Sequence, residues 1–331
     1  MGNVAVIGSG SWGTALANAF ADRGNSVTLW GRTEQILEVN ALHENRKYLP
    51  GFKLSEKICA TLDIEQSVKS AEVIVCAIPT QQIRKVFQPL SSLLKGKLIV
   101  NSAKGIEEKS HVTVSRIFEE IAPANTYLVL SGPSFAQEVV QRLPTAVTVA
   151  SKATDAASTV QRMVSNSYLR AYTGTDVIGV ELGGALKNVI AIASGVASGL
   201  KLGHNAQAAI INRGVAEIIR MGKCKGANPM TFLGLSGMGD LILTCTGPLS
   251  RNRRLGQGIG EGKKLDQIQR ELGGVAEGVY TARSAYELSR QLNIEMPITE
   301  QVYRVLFEAT SVQSALTELM GRGLKEEWDI G

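Results

Sequence analysis

The 331-residue sequence has few of the residues that build metal centres or disulfide scaffolds. Its four cysteines, Cys59, Cys76, Cys224 and Cys245, form no C-x-x-C pair, and only three histidines occur, His43, His111 and His204. This usage excludes a zinc ribbon and a disulfide framework, and the expectation is a reduced, cytoplasmic, metal-free protein. Proline is scarce, 9 residues against 34 glycines, a balance that favours close backbone contacts over disorder. No internal repeat and no low-complexity tract is present. No basic n-region precedes an apolar run, and Val6 stands where N-myristoylation of Gly2 requires Ser or Thr. The longest apolar stretch, Val177 to Leu200, carries Glu181, Lys187 and five glycines. It reads as a buried helix of a soluble fold, so no membrane insertion is expected.

What is present is enough chain for two domains, at about 150 residues each, and a mild excess of positive charge, 35 − 30 = +5. So thin a charge suits a small anionic ligand better than DNA. The one dense basic run, Arg251-Asn252-Arg253-Arg254, has no interleaved aromatics and sits in what reads as a Gly/Pro/Ser-rich loop, so no nucleic-acid partner is expected.

From residue 4 to about 175, β-branched runs alternate with helical patterns. The strand candidates are Val4–Ile7, Val27–Trp30, Val73–Ala77, Leu98–Asn101, Tyr127–Ser131 and Ala146–Ala150, with helices such as Trp12–Arg23 and Gln81–Leu94 between early ones. This alternation predicts an α/β domain, a mostly parallel sheet with helices on both faces. Beyond Tyr172–Asp176 the patterns are helical: Glu181–Leu200, Asn205–Met221, Leu265–Leu272, Thr281–Leu292 and Thr299–Phe307. The expected division is 1–175 for the α/β domain and 176–331 for an all-α domain.

Directly after the first strand comes Gly8-Ser9-Gly10-Ser11-Trp12-Gly13, a G-x-G-x-x-G opening a helix. Gly8 permits the tight turn, Gly10 admits a pyrophosphate to the backbone, and Gly13 lets helix and sheet pack closely, so the segment predicts a Rossmann-type dinucleotide site. At the end of the second strand, where an acidic residue usually meets an NAD ribose, stand Gly31-Arg32-Thr33. Arg32 can neutralise a 2′-phosphate, which favours NADP(H), while Glu34 keeps a carboxylate near enough to serve NAD(H).

Three later strand-to-helix turns lie where ligands meet open α/β sheets: Ile78-Pro79-Thr80, Asn101-Ser102-Ala103-Lys104-Gly105 and Ser131-Gly132-Pro133-Ser134-Phe135-Ala136. Ser134 and Gln137 read as a capping box. Lys187 sits amid small and apolar helix residues, where burial lowers an ammonium pKa toward neutrality, as a general acid or base requires; ion pairing to Glu181 is the structural alternative. Ser250-Arg251-Asn252 combines a hydroxyl, a guanidinium and an amide, donors that suit a phosphate monoester. His204 reads as a structural loop residue.

Taken together, the Gly8–Ala15 fingerprint, Ser102–Gly105, Ser131–Ala136, Gly184-Ala185-Leu186-Lys187-Asn188 and Ser250–Asn252 resemble the NAD(P)-dependent sn-glycerol-3-phosphate dehydrogenases of the bacterial biosynthetic type, over essentially the whole chain. The resemblance implies a Rossmann domain plus a helical substrate domain, often in a homodimer, reducing dihydroxyacetone phosphate to sn-glycerol 3-phosphate for phospholipid synthesis. By it, Lys187 is the proton donor and acceptor at the C2 oxygen. Gly8, Gly10, Ser11, Trp12, Gly13, Arg32, Ala136, Val275 and Glu277 serve the dinucleotide; Lys104 and Arg251 serve both dinucleotide and substrate. Gly132, Ser134, Lys187, Asp240, Ser250 and Asn252 hold the substrate, with Asn188 and Thr244 as neighbours.

Two other readings share parts of this pattern. A β-hydroxyacid dehydrogenase has the same domain plan and a helical lysine, but its substrate carries a carboxylate where Ser250-Arg251-Asn252 would meet a phosphate. A non-catalytic dinucleotide sensor would have no use for the buried-looking Lys187.

Overall fold

The structure is a computed structural model and describes residues 1–273 and 276–327. The chain forms two compact units, Met1–Ala103 with Val114–Val177, and Lys104–Thr113 with Ile178–Gly331.

The first unit is built on eight strands: β1 (Asn3–Ile7), β2 (Ser26–Trp30), β3 (Ile58–Thr61), β4 (Val73–Cys76), β5 (Leu98–Asn101), β6 (Thr126–Ser131), β7 (Thr145–Ala150) and β8 (Leu169–Gly174). Their order is β3-β2-β1-β4-β5-β6-β7-β8. Neighbours from β3 to β6 pair in parallel, β7 runs antiparallel to β6, and β8 parallels β7. The α/β expectation holds. Val4, Ala5, Val6 and Ile7 are all fully buried, as are Ile74, Val75 and Cys76, because a parallel strand covered on both faces has no solvent side. The strand order reverses between β1 and β4, so the carboxyl edge there opens the crevice in which such sheets bind ligands.

Two strands absent from the sequence reading, β3 and β8, complete the sheet at its edges. In β8 the pattern is the half-exposed one, Leu169 and Ala171 buried and Arg170 and Tyr172 exposed. The predicted helix Gln81–Leu94 is broken into 3₁₀ turns and short helices, with a 3₁₀ turn over Gln88–Leu90 where Pro89 supplies no N–H.

The second unit is helical among its described residues. Its principal helices are Val177–Gly199, Gly203–Cys224, Asp240–Thr246, Arg251–Gly260, Glu277–Gln291, Pro297–Phe307 and Val312–Met320. Val177–Gly199 is long and apolar enough to cross a bilayer by composition, yet Leu182, Leu186, Val189, Ile190 and Ile192 are buried with Phe232, Leu241 and Leu255 in this unit's core. His204 lies in the first turn of a helix, not in a loop, and is exposed.

The expectation of a loop at Arg251–Arg254 is corrected: these residues begin a ten-residue helix. Its glycines lower helix propensity, but they let two backbones touch. A Cβ on Gly256 would lie 2.0 Å from Ile192 O, on Gly260 2.5 Å from Val196 O, on Gly195 2.1 Å from Arg253 O and on Gly199 2.4 Å from Gln257 O. That contact brings Asn252 against the helix that carries Lys187. The Lys104–Thr113 segment is anchored in the same unit by Ile106, fully buried in its core, a burial worth about 2 kcal/mol. The Glu108–Arg283 ion pair (2.7 Å) and the contact of His111 Nε2 with Glu287 Oε2 (2.7 Å) fasten its far end to the helix Glu277–Gln291.

Candidate active site

The carboxyl edge of the first unit carries the glycine fingerprint between β1 and the helix Ser11–Asp22. Gly8 has φ +122°, and a Cβ there would lie 2.5 Å from Ala77 O, so this turn accepts no side chain. A Cβ on Gly13 would lie 1.8 Å from Gly8 O, whereas one on Gly10 would meet nothing within 4 Å. The turn is therefore tightly packed on its protein side and open at Gly10. No side chain caps the helix at Gly10, which leaves its first amides to an outside acceptor. Trp12 Nε1 is also buried without a partner, a state that costs about 1–3 kcal/mol until an acceptor arrives. These features fit a dinucleotide pyrophosphate.

Arg32 is exposed at the carboxyl end of β2, next to the buried Gly31. Asn45, which sequence reasoning missed, ties the turn down by donating to Ser9 O (2.9 Å) and Thr14 Oγ1 (2.8 Å), and Ser11 Oγ donates to Tyr48 O (2.9 Å). No local motif announces a tether 36 residues away. At the end of β6, Ser134 Oγ donates to Gly132 O (2.9 Å), and the following helix, Ala136–Val140, has Phe135 at its N-cap position without a side-chain cap. The capping box expected from Ser134 and Gln137 does not form, because Ser134 precedes the cap position. Ala136 packs against the core of this unit.

The second unit holds a different cluster. Gly183, one turn before Lys187 on its helix, lets the π-type turn Leu235–Gly239 approach so closely that a Cβ on Gly183 would lie 2.8 Å from Ser236 O. That turn delivers Asp240, at the start of the next helix, against Lys187. The Lys187 ammonium donates to Asp240 Oδ1 and to Thr244 Oγ1 (2.8 Å), and Thr244 donates in turn to Asp240 O (2.6 Å). From the separate Lys104 segment, Lys104 Nζ donates to Asp240 Oδ2 (2.6 Å). The partner of Lys187 is thus Asp240, 53 residues on, and the pairing to Glu181 weighed from sequence does not occur, since six residues place Glu181 on another helix face.

Burial brings the Lys187 pKa down to about 7, with the Lys104 charge adding to the drop and Asp240 opposing it. At Asp240 burial works against ionisation, but the charges of Lys104 and Lys187 overcome it and hold the carboxyl below its usual range. When Lys187 is protonated, two ammonium groups face this one buried carboxylate, donors placed to meet a ligand oxygen.

Nearby, Ser250 caps the helix Arg251–Gly260 by accepting from Arg253 N (3.2 Å), and Arg251 is exposed at its first position. Asn188 and Asn252 are buried and bonded to each other. Glu277 begins the helix Glu277–Gln291, while Val275 lies outside the described residues. The structure thus brings together Lys104, Lys187, Asp240, Thr244, Asn188 and Asn252 in one unit, and Gly8–Gly13 with Arg32 along one sheet edge of the other.

Comparison with known proteins agrees with both halves. Residues 3–157 match the family described as NAD-dependent glycerol-3-phosphate dehydrogenase N-terminus, and residues 176–317 match its C-terminus. The chain is 50% identical to a glycerol-3-phosphate dehydrogenase (NAD(P)+) of Staphylococcus saprophyticus, covering 99% of this chain and 100% of the relative, and 47% identical to that of Bacillus subtilis, covering 99% and 97%. The crystal structure of glycerol-3-phosphate dehydrogenase from Coxiella burnetii superposes with a TM-score of 0.93 at 37% identity, covering 97% of this chain and 99% of that one. With a glycine fingerprint in one unit, a lysine pair on a shared aspartate in the other, and relatives matched end to end, this chain belongs to the NAD-dependent glycerol-3-phosphate dehydrogenase family.

Proposed function

We propose that this protein interconverts dihydroxyacetone phosphate and sn-glycerol 3-phosphate with NADP(H) or NAD(H). In the oxidative sense, sn-glycerol 3-phosphate and NAD(P)+ give dihydroxyacetone phosphate, NAD(P)H and a proton. The observation that carries the reading is the Lys104–Asp240–Lys187 cluster, in which burial brings Lys187 to a pKa of about 7. A base poised near neutrality takes a proton in one direction and returns it in the other.

The dinucleotide, when bound, supplies hydride acceptance or donation at C2. Gly8, Gly10, Ser11, Trp12 and Gly13 would hold its pyrophosphate region, Arg32 its adenosine end, and Ala136, Arg251 and Glu277 would add further contacts. Lys187 is the catalytic residue, moving the proton of the C2 oxygen. The Lys104 ammonium draws that oxygen and stabilises its partial negative charge. Ser250, Arg251 and Asn252 hold the phosphate, aided by the first-turn amides of the helix they begin. Gly132 and Ser134 complete the substrate contacts. Asp240 and Thr244 fix the Lys187 ammonium by their hydrogen bonds. Arg32, exposed at the end of β2, favours NADPH over NADH.

The enzyme works in the cytoplasm as a homodimer, without membrane insertion or nucleic acid, and its product feeds glycerophospholipid synthesis. The test is a paired assay of dihydroxyacetone phosphate reduction with NADPH and NADH, set beside oxidation of 3-hydroxyisobutyrate. Turnover of the phosphorylated ketone alone supports the proposal; turnover of the hydroxyacid alone, or of neither, overturns it.

A further inference from the structure

Three hydrogen bonds run head to tail through the helical unit. Gly278 N donates to Asn252 Oδ1 (3.0 Å), Asn252 Nδ2 donates to Asn188 Oδ1 (2.9 Å), and Asn188 Nδ2 donates to the Lys104 carbonyl (3.3 Å). The line joins three helices and the Lys104 segment. Gly278 lies in the first turn of the helix that Glu277 begins, Asn252 near the start of the Ser250-capped helix, and Asn188 directly after Lys187. Both asparagines are buried. Gly278 leaves no room between them for a side chain, since a Cβ there would lie 2.7 Å from Asn252 Oδ1 and 3.0 Å from Asn188 O.

Direction matters in this line. Each amide accepts on its oxygen from the preceding donor and donates from its nitrogen to the following acceptor. Turning either amide over would set N–H against N–H on one side and oxygen against carbonyl oxygen on the other. Neither asparagine can therefore rotate alone, and the line ends on the main chain of Lys104, whose side chain ends on Asp240. The Asn252 amide is already engaged on two sides, which leaves its main-chain N–H and second Nδ2 hydrogen for substrate phosphate.

We infer that Asn188 and Asn252 are positioning residues that couple dinucleotide binding at the Glu277 end of this line to the placement of Lys104 at the other, so that dinucleotide and phosphate substrate bind cooperatively. The inference rests on the function proposed above, which gives Glu277 to the dinucleotide and Lys104 to the substrate. Such coupling is reciprocal: whatever factor the dinucleotide adds to substrate affinity, the substrate adds to dinucleotide affinity. Spatial continuity is not coupling, so the factor itself has to be measured.

NADPH and sn-glycerol 3-phosphate form a pair that cannot react, and NADPH fluorescence reports its dissociation constant with and without saturating sn-glycerol 3-phosphate. In the native enzyme the two constants should differ by about tenfold. Asn188→Asp keeps the acceptor for Asn252 and removes only the donor to the Lys104 carbonyl; Asn188→Ala removes the last two links. Each should bring the ratio to near one while NADPH and sn-glycerol 3-phosphate each still bind alone. Should Asn188→Ala fail to fold, the near-isosteric Asn188→Asp decides by itself. A merely structural role would lower the melting temperature or both affinities and leave the ratio intact, and an unchanged ratio in folded Asn188→Asp overturns the inference, as does a native ratio of one. Native protein that binds neither ligand contradicts the proposed function instead.

Discussion

Lys104 and Lys187 donate to opposite oxygens of one buried carboxylate, that of Asp240, although they come from a loop segment and from a helix 83 residues apart in sequence (187 − 104). Burial lowers the Lys187 pKa to about 7, the nearby Lys104 charge adds to the drop, and Asp240 opposes it. The shared carboxylate thus holds two lysines side by side in a buried setting, where charges act strongly on one another.

Asp240→Asn keeps the side-chain volume and removes the shared charge. Breaking a buried pair by deleting one partner costs about 3–5 kcal/mol, and here it removes the carboxylate that both lysines donate to. We expect a lower denaturant midpoint and a loss of turnover of about 10²-fold or more. Native midpoint with native turnover would show that Asp240 holds neither lysine in place.

The proton role of Lys187 predicts mirror-image pH profiles. Oxidation of sn-glycerol 3-phosphate needs neutral Lys187, so kcat/KM should rise about tenfold per pH unit below about 7 and level off above it. Reduction needs the ammonium and should fall above the same point. Profiles measured in both directions that rise together, or that stay flat through neutrality, contradict the assignment.

Glu217, fully buried in the helical unit, accepts from Ile298 N (2.5 Å), Thr299 N (3.1 Å) and Thr299 Oγ1 (2.8 Å) at the start of the helix Pro297–Phe307. Burial pushes its carboxyl up to about 7 despite those hydrogen bonds. The folded state then holds a proton that the unfolded chain has released between about pH 4.5 and 7, so this group's stabilising contribution is lost as pH rises through that window, by about 2–3 kcal/mol. Lys187, lowered to about 7, acts in the opposite sense above that point, so its contribution grows from about pH 7 to 10.5. Glu217→Gln should flatten the acid-side slope in chemical denaturation; an unchanged slope would assign it to other groups.

Arg32 stands at the carboxyl end of β2 and is free to meet a ligand there. A charge-assisted contact of about 1.5–3 kcal/mol to a 2′-phosphate corresponds to roughly 10–100-fold in affinity. Arg32→Asp should therefore lower kcat/KM for NADPH by about that factor and leave NADH nearly unchanged. Equal losses with both cofactors would mean that Arg32 does not distinguish them.

How far the sequence reached depends on range. Val4–Ile7, directly before the glycine turn, and Val73–Cys76 are continuous apolar runs, and strands buried on both faces advertise themselves in that way. The edge strands β3 and β8 are short or half exposed and carry weaker patterns. In the helical unit, the Gly/Pro/Ser-rich surroundings of Arg251–Arg254 suggested a loop; tertiary contact overrides that preference where Gly256 and Gly260 let two helix backbones meet. The individual lysines, asparagines and Asp240 were visible as motif residues. Their pairing was not, because periodicity reports which face a residue occupies and says nothing of a partner 53 or 136 residues away.

The central claim is that Lys187 moves the proton of the C2 oxygen. Lys187→Met retains the length and apolar packing of the stem and removes the ammonium. Steady-state turnover with dihydroxyacetone phosphate and NADPH, measured beside NADPH fluorescence titration of the same protein, tests it directly. The account predicts native-like NADPH binding with turnover reduced about 10²–10⁴-fold; turnover within about threefold of native in that variant would contradict it.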